Sequence, residues 1–176
     1  MSSITQARLS RRELLKLGAG ASLVLTTVGV TATLTRCSSS DPATDYQVLR
    51  SNDLVILGVI LPALIGAHPA MPAQVPAALR QLDWSLSYMS TQIHQDLYEM
   101  LDLLNMGVTR GPMTGIWGSW EKAQPEQVAH FLQRWRDSRL ALLRQGHNAL
   151  TQLLLMAWYA LPATWDSIEY PGPPAI

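Results

Sequence analysis

SNDLVILGVILPALIGAH, residues 51–68, admits two readings, and the fold turns on which one holds. As a strand, LVILGVIL is an apolar run of the length a buried sheet uses. A strand needs a neighbour, and no alternating run nearby offers a pairing partner. As a helix, Leu54, Leu57, Ile60 and Leu61 share one face at spacings of three and four. Ser51, Asn52 or Asp53 then serves as N-cap. Pro62 has no amide hydrogen and is expected to bend or end the helix. The helix reading makes the whole chain all-α.

Working outward, HPAMPAQVP (68–76) carries three prolines and reads as a loop. A long helix is expected from about Pro76, a first-turn residue, to Met106. Along it Leu79, Leu82, Leu86, Met89, Ile93, Leu97, Met100, Leu101 and Leu104 recur every three or four residues, and Gly107 stands as a C-terminal stop. TRGPMTGIWGSW (109–120) is glycine-rich and reads as an ordered loop or a short helical turn. Pro125 and Glu126 open the next helix, whose inner face is Val128, Phe131, Leu132 and Trp135. After a bend near Ser138 the helical pattern resumes until Pro162. The closing prolines 171, 173 and 174 impose extended and turn conformations. The expectation is an all-α bundle of about four helices, with an N-terminal signal or anchor helix and a proline-rich extended C-terminal tail. Residues 1–36 form the leader, 37–50 a polar linker, and 51–176 the helical domain.

The 176 residues are 48% apolar and only 15% charged, where an average soluble domain is about 25% charged. So low a charge implies contact with a membrane or with a partner. Residues 1–37 hold five basic and one acidic residue, a net +4; the remainder holds eight basic and twelve acidic, a net −4. The body's one lysine is Lys122, and no basic cluster exists there, which argues against nucleic-acid binding. Cys37 is the sole cysteine, so no intrachain disulfide and no multi-cysteine zinc site can form.

The leader explains the asymmetry. LGAGASLVLTTVGVTATLT, residues 17–35, is uncharged and just long enough to span a hydrocarbon core of about 30 Å. Ahead of it SRRELLK (10–16) resembles the twin-arginine export signal. Ser10, Arg11, Arg12, Leu14, Leu15 and Lys16 fit that pattern, with Leu14 where phenylalanine is preferred. The resemblance implies export of an already folded body to the periplasm, with the twin-arginine translocase as a partner. Three fates of the leader are open. Val30-Thr31-Ala32 suits a signal peptidase. LTRC followed by SSSD suggests lipidation at Cys37, although Arg36 departs from a lipoprotein box. The segment can also stay as an uncleaved anchor.

Motifs of catalysis are missing from the sequence. His68, His94, His130 and His147 fall in no metal-binding spacing. Asp96, Glu99 and Asp102 read as a solvated acidic stripe. No nucleophile elbow, dinucleotide fingerprint or phosphate loop is present. No catalytic, cofactor-binding or metal site is therefore expected in this chain. Six tryptophans are many for this length, and Trp117, Trp120 and Trp165, with Tyr170, lie in loops. Loop aromatics either pin irregular chain onto a bundle or anchor a protein partner.

Taken together, the leader, LVILGVILPA and the closing WDSIEYPGPP (165–174) resemble the gluconate 2-dehydrogenase subunit 3 family. Its members close on a W-x-x-I-G-Y-P-G-P pattern, and here Glu169 replaces the glycine. A glycine-asparagine stretch usual just upstream is replaced by YALPATW. The resemblance implies a small subunit that escorts a large FAD-bound dehydrogenase of the glucose–methanol–choline (GMC) type through the export pathway. It also implies that the subunit stabilises that enzyme at the periplasmic side of the membrane, often beside a cytochrome c subunit. FAD would belong to the partner. The docking candidates are Trp117 and Trp120 from the loops and, by the resemblance, Trp165, Tyr170, Pro171, Gly172 and Pro173. The alternative reading is a stand-alone membrane-anchored or lipidated periplasmic binding protein.

Overall fold

Helix α1, Ser51–Ile65, is apolar on nearly every side, and such a helix must be surrounded. The computed structural model describes residues 41–172 and places α1 at the centre. The expected leader residues Arg11, Arg12, Leu14, Leu15 and Lys16, together with Cys37 and Pro173, lie outside the described residues. Around α1 stand α2 (Val75–Ser87), α3 (Thr91–Asn105), α5 (Pro125–Arg136) and α6 (Ala141–Tyr159). The short α4 (Gly107–Thr114) follows α3. Three single 3₁₀ turns complete the order, at Trp120–Lys122, Pro162–Thr164 and Asp166–Ile168. Among the described residues there is no strand, and the protein is an all-α bundle.

Ile56, Leu57, Ile60 and Leu61 of α1 are buried, as are Val128, Phe131, Leu132 and Trp135 of α5. Each fully buried side chain of this size contributes about 1.5–3 kcal/mol. Pro62 does not end α1. The helix continues to Ile65, and Gly66, at φ 76°, closes it by donating to the Pro62 carbonyl at 2.9 Å.

Among the described residues six α-helices stand where about four were expected, because one helix is split in two and a short one is added. The long helix 76–106 breaks between Ser87 and Thr91. Ser90 caps α3, its hydroxyl accepting from the Ile93 amide at 3.4 Å. Across the break His94 Nε2 donates to the Leu86 carbonyl at 2.7 Å, satisfying an acceptor at the end of α2. The helix stops at Asn105, one residue short of the Met106 expected, and a further short helix, α4, begins at Gly107 and ends at Gly115 in the left-handed region at φ 81°.

Trp120 is 2% exposed. Its indole N–H donates to the Leu104 carbonyl at 2.8 Å, and its ring meets Phe131, which meets Trp135 in turn. This corrects the expectation that Trp120 is a docking residue; it belongs to the core. Where α5 and α6 meet, the Trp135 ring lies against Gly146, and a Cβ there would sit 2.7 Å from Trp135 Cζ3.

Candidate functional site

The two non-helical ends of the described chain are each fastened to the bundle, by different chemistry. At the front the expected linker is not loose from Ala43 onward. Ala43 N–H donates to the Leu49 carbonyl at 2.9 Å, closing a turn, and Val48, Leu49 and Arg50 are buried. Asp83 of α2, 4% exposed, receives three successive backbone amides. Gln47 donates to Oδ2 at 2.8 Å, while Val48 and Leu49 donate to Oδ1 at 2.9 and 2.8 Å. A carboxylate is suited to this because it only accepts, at several lone-pair sites. Tyr98 of α3 adds a bond from its hydroxyl to the Val48 carbonyl at 2.7 Å.

Arg50 is the N-cap residue of α1, a place expected for Ser51, Asn52 or Asp53. Asp53, three residues on and fully buried, accepts from the Arg50 amide at 3.0 Å. Its carboxylate also takes Arg50 Nε at 2.9 Å and Nη2 at 3.0 Å, a bidentate pair. Asp102 of α3 lies 2.8 Å from Arg50 Nη2, an ion contact off the line of a hydrogen bond. The guanidinium also stacks over the Tyr98 ring, 4.5 Å from its centre. Burial alone lowers the basicity of Arg50; the hydrogen bonds to Asp53 and the negative charge of Asp53 and Asp102 outweigh it and hold the group charged. Burial likewise pushes the Tyr98 phenol above its ordinary value, against the pull of Arg50.

The tail is fastened by rings. Trp165 is half-buried, and its indole N–H donates to the Tyr159 carbonyl at 2.8 Å. The chain then turns back on it. The Ile168 and Tyr170 amides both donate to the Trp165 carbonyl, at 3.0 and 3.2 Å. The Tyr170 ring meets the Trp165 ring edge-on at 5.2 Å. The reversal occurs at Glu169, a non-glycine residue at φ 54°. Gly172, at φ 94°, sits so close that a Cβ would lie 3.0 Å from Trp165 Cζ3. The tail is thus folded around Trp165 through two 3₁₀ turns ahead of Tyr170; beyond Tyr170, where extended and turn conformations were expected, the described Pro171 and Gly172 are non-helical and Pro171 is exposed.

His68, in the loop after α1, ties the tail down. Its Nδ1 accepts from the Ala70 amide at 3.0 Å, so the neutral ring carries its proton on Nε2 and donates it to Ser167 Oγ. Ser167 Oγ in turn donates to the Thr164 carbonyl at 3.1 Å. In a serine–histidine catalytic pair that nitrogen must accept the hydroxyl proton. The arrangement here is a tether. The His68 ring also meets the buried Trp158 edge-on at 5.1 Å.

Of the docking candidates, Trp117 is 77% and Tyr170 45% exposed, and Trp165 faces its own tail. The structure gathers Trp165, Tyr170 and Gly172 into one unit, with Pro171 in the same segment. Trp117 packs on the α4 backbone at Gly111. Sequence reasoning passed over Asp83, Tyr98 and Arg50. The signal for Asp83 was a carboxylate among Leu79, Leu82 and Leu86, on the core side of α2. It also passed over Trp84 and Tyr88, an edge-on pair at 5.1 Å exposed on α2.

Among the described residues no group of three His, Cys, Asp or Glu is placed to hold a metal ion. No described helix is long and apolar enough to cross a membrane. An open hollow of about 400 Å³ lies beside Arg136 and His147, with Arg136 turned onto Asp137 at 3.0 Å. No protein-family model, curated protein or solved structure matches this chain.

Proposed function

We propose that this chain is a non-catalytic accessory subunit. It escorts a folded, FAD-dependent dehydrogenase of the GMC type through the twin-arginine pathway and stabilises it at the periplasmic side of the membrane. The observation that carries this reading is SRRELLK at residues 10–16, a signal for cargo that crosses folded, on a chain whose sequence holds no catalytic motif. The closing residues support it. Trp165, Tyr170 and Gly172 of the family-like WDSIEYPGPP form one packed unit. Its one substituted position, Glu169, sits in the left-handed region that favours the family's glycine. Exposed Trp117 and Tyr170 offer the ring types that dominate protein interfaces.

The test is a pull-down from membranes with the full chain as bait. A copurifying large protein with a flavin absorbance spectrum is expected. In the double variant Arg11→Lys, Arg12→Lys that flavoprotein should remain in the cytoplasm. Normal export of the flavoprotein in that variant would refute the reading.

A further inference from the structure

The strap formed by residues 43–50 has a property that the export reading does not require. Its partners come from three different helices: Asp53 from α1, Asp83 from α2, and Tyr98 with Asp102 from α3. None comes from α5 or α6 in these contacts. Its bonds to Asp83 cross 34 to 36 residues of sequence, so they form only after α2 has docked beside α1. Three amides on one carboxylate, with a bidentate ion pair beside them, is an arrangement that fails as a whole. Removing one member leaves buried charge or buried N–H groups without partners, which is worse than exposing the segment to water.

We propose that the 43–50 strap is a folding sensor at the root of the export leader, closed only when α1, α2 and α3 are assembled. The proposal deepens the export reading by naming its regulation. Closed, the strap holds residues 43–50 in a turn on the bundle. Open, it releases eight residues, which span at most about 26 Å when fully extended, for whatever precedes them. A translocase that accepts folded cargo would then meet the leader on a short root when the body is folded and on a long, slack one when it is not.

Hydrogen exchange across the full-length purified chain reads the strap directly. Two variants act on the clamp: Asp83→Asn, and the milder Tyr98→Phe in case the first fails to fold. Each should speed exchange at 47–49 by about tenfold or more while α5 and α6 keep their protection. Two core variants of matched chemistry complete the test. Leu101→Ala loosens α3, which serves the clamp; Leu150→Ala loosens α6, which gives the strap none of these contacts. The strap should open more in the first than in the second. Equal opening in both, or unchanged exchange in Tyr98→Phe, would overturn the proposal. Because exchange is read on the isolated chain, its outcome is independent of whether a flavoprotein is the cargo.

Discussion

The strap at 43–50 and the tail at 162–172 solve the same problem in opposite ways. Each is irregular chain that has to be held on a helical surface. The strap is held by distant polar partners, with Asp83 lying 34 to 36 residues away. The tail is held mostly by its own neighbours: Trp165 bonds to Tyr159, six residues back, and packs on Tyr170. Among the described residues, the tail's one long-range hydrogen bond is that of His68 with Ser167, across 99 residues. Long-range polar fastening makes a segment report on the whole assembly. Short-range aromatic fastening makes a segment that folds with its own helix end and can present the same surface regardless of events elsewhere.

The contrast can be broken most severely at Asp83. Asp83→Ala leaves the buried Val48 and Leu49 amides and the part-buried Gln47 amide with no acceptor, and the expected cost is about 4 kcal/mol in urea unfolding. Loss of about 1 kcal/mol or less would mean that water replaces the carboxylate and the strap is incidental. A smaller effect is expected at the other end. Trp165→Ala removes the body around which the tail folds and should cost about 2 kcal/mol, with faster hydrogen exchange confined to residues 162–172. Spread of that effect to α2 or α3 would erase the distinction between local and global fastening. The smallest change has the opposite sign. Glu169→Gly relieves a left-handed conformation at φ 54° and should stabilise the tail by about 0.5 kcal/mol, seen as slower local exchange.

The same contrast explains what could be read from the sequence. Helix α5 was legible residue by residue, since Val128, Phe131, Leu132 and Trp135 are all buried. Its pattern is local and its start is marked by proline. The break between α2 and α3 was not, because Leu86, Met89, Ile93 and Leu97 keep helical spacing straight across it. Periodicity cannot detect an interruption that preserves its phase; Ser90 was the one local clue. Trp120 was misplaced for a related reason. It lies in a glycine-rich segment, and nothing nearby in sequence shows that its N–H meets Leu104. The strap was the hardest to see. The stretch RCSSSDPATDYQ (36–47), which leads into it, is polar and proline-containing, which describes a linker, and the carboxylate that fixes the strap sits in another helix.

Gly146 offers a lesson of a different sort. In the middle of a helix, alanine is ordinarily preferred to glycine by about 1 kcal/mol, and a half-buried position looks open to that exchange. Here the Trp135 ring occupies the space a methyl group would need. A single missing carbon thus sets how near two helices can lie, and it closes to mutational drift a site that residue preferences would mark as free. Any stabilised version of this bundle has to keep that gap or rebuild the indole that fills it.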